Sequence, residues 1–204
     1  MAFSLDDLVA NGTMSRGVAS TLRKAVEAHR SYVVIALPRL AGKSTVGKAM
    51  LAFARKAKWP IRELGEDGTD VDALAAEARG GYLYVPEVSR FPVTEGYVWG
   101  APVRRAFAAI AGGTSLSTAL HADSAQDAIT ILRRNRVPDE DLERLDLIVH
   151  LRSLGEDWRE PTGRRVVDVN EMSRMRDGAP TLRLLHRWDE ARDRFEDLAE
   201  PKRF

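Results

Sequence analysis

The chain contains no cysteine, so disulfides and zinc sites built from thiolates are both excluded. Its four histidines are scattered without the spacing of metal ligands. No apolar run approaches the ~20 residues that cross a bilayer, and the first residues have neither the basic segment nor the apolar core of a signal peptide. We therefore expect a cytoplasmic protein.

The charge balance is also nearly neutral. Lys and Arg number 31 against 30 Asp and Glu, which gives a net charge of +1. Arginines are frequent in the last third, as at Arg164-Arg165, and we interpret them as solvated side chains. Since binding to nucleic acid depends on an excess of positive charge, we expect no nucleic-acid partner.

The 204 residues are 44% hydrophobic and 30% charged, the balance of one globular domain. Apolar periodicity and capping residues predict helices over 4–11, from near 15, and over 45–57, 71–79, 102–111, 124–135 and 139–144. Short apolar runs predict strands over 32–36, 59–64, 82–85, 115–120 and 147–151, with Pro86 ending the third of them. Turns are expected at 65–68 and 178–180, and a packed loop at 89–101 with Phe91, Tyr97 and Trp99. Strands predicted over 165–169 and 182–188 should form an antiparallel edge. Because the other strands alternate with helices, we expect the fold class to be α/β with an open, mostly parallel sheet.

The segment Ala41-Gly42-Lys43-Ser44-Thr45 directly follows the apolar run 32–36 and opens a helix. Where a strand ends and a helix begins, the backbone N–H groups of the first helical turn can bind phosphate oxygens, and the helix dipole stabilises their negative charge. Lys43 would reach the terminal phosphates, and the Ser44 hydroxyl would hold Mg²⁺. The expected nucleotide-binding residues are Arg39, Leu40, Ala41, Gly42, Lys43, Ser44 and Thr45. The alternative is a lysine and a serine that open an ordinary helix.

The loop before Gly42 departs from G-x-x-x-x-G-K-[ST], the sequence pattern of phosphate-binding loops. Leu37 stands at the first glycine position, and Pro38 removes an N–H that could face a phosphate. Leu40 stands where many such loops carry glycine, so a positive φ there would be strained.

Five separate stretches resemble the motor ATPases of type II and type IV secretion and pilus machines. They are residues 4–9 and 22–26 with the strand and loop that follow them, the strand 82–85 with Pro86-Glu87-Val88, the histidine box 112–125, and the closing strands 145–151 and 163–171. The histidine box is the most specific, because fourteen positions run nearly in register.

This resemblance implies a RecA-like P-loop NTPase core, with residues 1–30 as a helical lead-in and 31–204 as the core of the same single domain. It implies ATP and Mg²⁺ as ligands and a homo-oligomeric, hexameric ring in which hydrolysis moves subunits. It also implies a membrane-embedded secretion or pilus platform protein as partner, which would hold the chain at the inner membrane.

The resemblance assigns catalytic roles to Glu87, which would orient the attacking water, and to His121, which would sense the γ-phosphate. The alternatives are an exposed glutamate at a strand end and an ordinary surface or core histidine. For Arg104 and Arg105 we expect salt bridges on a helix surface rather than contact with a neighbouring subunit's nucleotide.

Several features of the family are absent from the sequence. We expect the chain to be the motor core without the family's separate N-terminal domain, with Glu63 as the only remnant of its acidic box and Arg79 as an isolated arginine. Gly81 replaces the acidic residue at the start of the Walker B strand. Leu37, Pro38 and Leu40 in the loop, together with Gly81, leave an alternative function open, a non-hydrolysing P-loop protein that acts as a structural or regulatory binding module. A nucleic-acid motor of phage or plasmid origin is a third possibility, which the neutral charge does not support.

Overall fold

A computed structural model describes residues 3–37, 40–65, 70–90, 97–157, 159–176 and 179–204, without the side chains of 175 and 176. The predicted positions Pro38, Arg39, 66–68, Phe91 and Gly178 lie outside the described residues. The strands are β1 Tyr32–Ile35, β2 Ile61–Glu63, β3 Tyr82–Val88, β4 Tyr97–Val98, β5 Ser115–Leu120, β6 Leu147–Leu154, β7 Gly163–Arg176, β8 Ala179–Asp189 and β9 Arg194–Asp197.

These strands form one sheet in the order β2-β3-β5-β1-β6-β7-β8-β9, with β4 paired to the end of β3. β1 lies at its centre and is parallel to both β5 and β6. The strands β6 to β9 are antiparallel to one another. The predicted fold class, a mostly parallel sheet with helices and an antiparallel C-terminal edge, is confirmed.

The helices are α1 Leu5–Ala10, α2 Arg16–Glu27, α3 Lys43–Lys56, α4 Val71–Glu77, α5 Ala101–Ala108, α6 Ala125–Arg134 and α7 Asp139–Leu142. Short 3₁₀ turns follow at Ala109–Gly112 and Glu190–Arg192. Ser4 caps α1 as predicted, and Ser15 and Ser124 cap α2 and α6 through their hydroxyl oxygens. None of the helices in the described part of the chain has the length and apolar character of a membrane span.

Two apolar cores lie on the two faces of the sheet. Tyr32 and Val34 of β1 are buried with α1, α2 and α3, whereas Val33 and Ile35 are buried with α4, α5 and α6. A central parallel strand is covered on both faces, which explains why its sequence is an unbroken apolar run. The division of the chain at residue 30 stays a prediction, although α1 and α2 share one core with β1 and α3.

The structure corrects two predictions about the third strand. Pro86 does not end it, since β3 continues through Pro86 to Val88. Proline has no N–H to donate, and the pairing of β3 with β5 shifts register between Val85 and Val88, which accommodates it. The predicted loop 89–101 also contains a strand, because β4 pairs in parallel with β3 and sets Tyr97 opposite Glu87.

Candidate functional site

Lys43 is the first residue of α3, and Gly42 is the N-cap. The φ of Gly42 is 98°, a left-handed conformation that favours glycine. A Cβ at this position would also lie 3.0 Å from Cδ of Arg164. Since glycine has no side chain, α3 has no side-chain cap, and the residues of its first turn line the adjoining cavity.

Lys43, Glu87 and His121 come together beside this helix start. Lys43 Nζ lies 3.5 Å from Glu87 Oε1 and 3.4 Å from His121 Nε2, and His121 Nε2 lies 3.6 Å from Glu87 Oε1. The three side chains follow or end the neighbouring strands β1, β3 and β5, whose carboxyl ends meet at one edge of the sheet. That edge is where open α/β sheets bind ligands.

The orientation of His121 is set by the chain before the loop. His121 Nδ1 lies 3.0 Å from the carbonyl oxygen of Leu37. A carbonyl oxygen only accepts, so Nδ1–H of His121 is the donor in this contact, while Lys43 Nζ lies beside both ring nitrogens, 3.3 Å from Nδ1 and 3.4 Å from Nε2. The imidazole therefore links the loop to the Lys43–Glu87 pair.

The lysine and the carboxylate form a buried ion pair. Their side chains are 7% and 4% exposed. Glu87 is therefore not the exposed strand-end glutamate of the alternative interpretation. Burying two charges costs several kcal/mol per ion, and it is tolerated when each ion stabilises the other or acts on a ligand.

Ser44 lies on the rim of the site and is exposed. The buried Tyr84 of β3 lies beside it. Burial raises the pKa of Tyr84 to about 12, so the phenol stays protonated at neutral pH. Ser44 is therefore accessible at the cavity that it lines.

Leu40 has the conformation that the sequence suggested, with a φ of 63°. Its side chain is 61% exposed, and that of Leu37 is 58% exposed. A leucine in the left-handed region costs about 1–2 kcal/mol relative to glycine. The loop therefore holds strain at its solvent-facing side.

Arg164 of β7 fixes this strained loop. Its Nε donates to the carbonyl oxygen of Leu40 at 3.0 Å. Arg164, which we expected to be a solvated arginine, is half-buried, and its guanidinium holds the loop through this contact. No local pattern reveals the contact, because the two residues are 124 positions apart and meet only when β7 pairs with β6.

These groups line a cavity of about 590 Å³. The lining residues are Phe3, Leu8, Asn11, Thr13, Leu40 to Val46, Glu87, Tyr97, His121, Leu151 and Arg164. The volume is that of a small-molecule site. The described part of the predicted binding segment, including Ala41 and Thr45, lines the cavity.

Mg²⁺ fits this donor set only together with a ligand. Among the described residues, no three His, Asp or Glu side chains are arranged as a metal site. Magnesium in nucleotide sites is held by one or two protein oxygens and by phosphates. The exposed Ser44 hydroxyl and the Glu87 carboxylate provide such oxygens at the cavity.

The remaining predicted positions lie away from the cavity. Arg105 makes the expected surface ion pair with Asp72 at 3.7 Å, whereas Arg104 donates to the carbonyl oxygen of Asn135 at 3.2 Å. Glu63 and Arg79 are both exposed.

Gly81 precedes β3 at the opposite end from Glu87. Six residues of extended chain span about 20 Å, so an acidic side chain at position 81 would be too far away to support a metal beside Lys43. A Cβ at position 81 would overlap the carbonyl oxygen of Pro60. The glycine is therefore explained by packing against β2, and its presence does not weaken the site.

No protein-family model matches the chain, and no curated protein matches it either. Among solved structures it is similar to the VirB11 ATPase from the Brucella suis type IV secretion system, in complex with sulphate. The TM-score is 0.54 and the identity 19%, over 81% of this chain and 54% of that chain. The Legionella pneumophila ATPase DotB matches with a TM-score of 0.45 and 15% identity, over 64% of this chain and 43% of that one.

The chain thus spans about half the length of the solved structures that it matches. At 19% identity, the VirB11 match shows the fold. The predicted resemblance to secretion ATPases is confirmed at that level.

Proposed function

We propose that this chain is a secretion-type P-loop ATPase, which binds ATP with Mg²⁺ and couples hydrolysis to subunit motion in a ring. The observation that carries the proposal is the buried Lys43 at the start of α3, within 3.5 Å of Glu87 and His121. A cation, a carboxylate and an uncapped helix start meet in one cavity, which is what phosphoryl transfer requires. The VirB11 structure of the same fold was solved with sulphate, an anion with the shape of phosphate.

Each residue has a role that follows from its position. The N–H groups at the start of α3 and the Lys43 ammonium bind the phosphates, and the Ser44 hydroxyl holds Mg²⁺. Mg²⁺ supplies charge neutralisation at the phosphates. Leu40, Ala41, Gly42 and Thr45 shape the loop around them, and Arg39 is assigned here from the sequence alone.

The ion pair gives the site two states. Without nucleotide, Lys43 and Glu87 neutralise each other. When Lys43 turns to the terminal phosphate, Glu87 loses its cation and can orient a water for attack on the phosphorus. His121 contacts Lys43, Glu87 and the carbonyl oxygen of Leu37. A movement of Lys43 can therefore shift the imidazole and, through it, the residue that precedes the loop.

Assembly and location belong to the same proposal. Residues 1–30 act as a helical lead-in to the core 31–204, and six copies form the ring. A membrane-embedded secretion or pilus platform protein is the partner, which holds the cytoplasmic ring at the inner membrane. Sedimentation velocity with and without ATP measures the oligomeric state. A monomer under both conditions would contradict the ring.

The second candidate is a binding module that does not hydrolyse ATP. It is favoured by the strained Leu40 and by the exposed leucines at 37 and 40, which occupy positions where glycine would open the loop. In this case the cavity binds nucleotide without turnover, or the chain works through its surfaces.

Phosphate release from ATP separates the two candidates. The ATPase proposal predicts release that is abolished in both Lys43→Ala and Glu87→Gln. Lys48→Ala is the matched control, because Lys48 lies on the same helix and is exposed. Release that survives in Lys43→Ala would show that the activity comes from another site or a contaminant. No release from a folded wild type would favour the binding module.

A further inference from the structure

A second cavity, of about 670 Å³, lies on another side of His121. Its apolar walls include Trp99, Leu120 and Ile131. Its charged lining is provided by Arg90, Arg134 and Arg136, which we call the arginine triplet. The proposed ATPase mechanism uses none of these residues except His121, which lines both cavities.

The arginine triplet is not neutralised by the described part of the chain. None of its members has an ion pair there, and none of the described lining residues is acidic. The neighbouring Arg133, in contrast, is paired with Asp139 at 3.0 Å. Like charges gathered at one concave surface repel one another, and a bound anion would remove that cost.

Hydrogen bonds fix the turn at the end of α6 that carries Arg134 and Arg136, whereas Arg90 follows β3. Arg136 has a φ of 61°, and its N–H donates to the carbonyl oxygen of Arg133 at 2.8 Å, as in a Schellman turn. The Asn135 side-chain oxygen accepts from the Gly100 N–H at 2.7 Å, which ties this turn to the residue after Trp99. The turn that carries two of the exposed arginines is therefore joined to the aromatic wall by a part-buried hydrogen bond, so the backbone of the pocket is in place before any ligand binds.

We propose that this pocket is a second anion site, which binds a phosphate group. Guanidinium groups bind phosphate oxygens in a bidentate manner, and three of them surround one concave surface. The indole of Trp99 and the aliphatic wall provide a surface for the body of an organic phosphate. The pocket volume accommodates a ligand of nucleotide size.

The test uses the full chain carrying Lys43→Ala, so that the loop cavity has lost its cation. Binding of AMP and, separately, of pyrophosphate is measured by calorimetry. Arg134→Gln is expected to weaken binding about tenfold or more, because it removes a charge-assisted contact. Arg136→Gly should do the same without loss of fold, since glycine suits the left-handed turn.

Arg133→Gln is the matched control, since it removes the same charge from the same helix turn outside the pocket, and it should leave binding unchanged. If AMP binds more tightly than pyrophosphate, the ligand of the pocket is an organic phosphate. If pyrophosphate binds at least as tightly as AMP, the ligand is an inorganic phosphate. Both results support the site. The proposal is overturned when neither ligand binds, or when the triplet variants bind as well as the control. The Lys43→Ala background keeps this outcome separate from that of the ATPase proposal.

Discussion

The Lys43–Glu87 ion pair should behave as one energetic unit. The two charges are 3.5 Å apart and almost fully buried. At an effective dielectric of about 20 they attract each other by ~5 kcal/mol. Desolvation of the two charges offsets much of that attraction, so the pair adds little net stability. Removing one partner leaves the other charge buried, which lowers the free energy of unfolding by about 3–5 kcal/mol.

We therefore expect Lys43→Met and Glu87→Gln each to lower the free energy of unfolding by about 3 kcal/mol. For a domain of this size that corresponds to a fall in Tm of roughly 6–12 °C. The double variant should cost much less than the sum of the two, with a coupling energy of about 2 kcal/mol or more. Chemical unfolding at pH 7, followed by circular dichroism, measures all four proteins of the cycle.

Lys48→Met is the control, because its exposed side chain should change stability by no more than about 0.5 kcal/mol. Additive single-variant effects would refute the reasoning, since they would mean that the two charges do not depend on each other. Single-variant costs as small as that of the control would likewise show that the pair is solvated in solution.

Four further outcomes follow from the structure. Glu87→Gln should bind ATP with Mg²⁺ several-fold more tightly than wild type in calorimetry while losing turnover, because the lysine no longer has a competing carboxylate; weaker binding would contradict the two-state site. Leu40→Gly should raise the free energy of unfolding by up to about 1 kcal/mol, because it relieves a left-handed leucine; a loss of stability would show that the leucine side chain packs. Gly81→Ala should lower it by about 2 kcal/mol or more, since the new methyl group overlaps a carbonyl oxygen; a neutral effect would exclude that packing. Asp193 has its pKa lowered from 3.8 to about 2, chiefly by Arg165, so its contribution is present above pH 3.8 and lost as the pH falls toward 2; the stability difference between wild type and Asp193→Asn should shrink over that range, and a constant difference would refute the assignment.

Much of the fold could be predicted because its signals are local. The apolar run of β1 and the capping serines at positions 4 and 15 act within a few residues. The strand β4 could not be predicted, because two residues carry no periodicity and their pairing depends on β3. Pro86 misled the prediction, since a register shift between neighbouring strands can admit a proline and this shift is invisible in the sequence.

In the candidate site, too, the sequence predicts individual residues, whereas the contacts between them depend on the fold. Lys43, Glu87 and His121 could be named from the sequence because each follows or ends an apolar strand, and parallel strands bring such positions to one edge. Their arrangement as a buried ion pair with a bridging imidazole depends on side-chain packing across three strands. The contact between Arg164 and Leu40 depends on the pairing of β7 with β6, so no local pattern could reveal it.

The most direct test of the account is calorimetry of ATP binding with Mg²⁺, comparing wild type with Lys43→Ala. The account predicts micromolar binding by wild type that disappears in the variant, because Lys43 provides the buried cation for the phosphates. Absence of binding in wild type, or equal binding in both proteins, would contradict the claim that the cavity at the start of α3 is a nucleotide site.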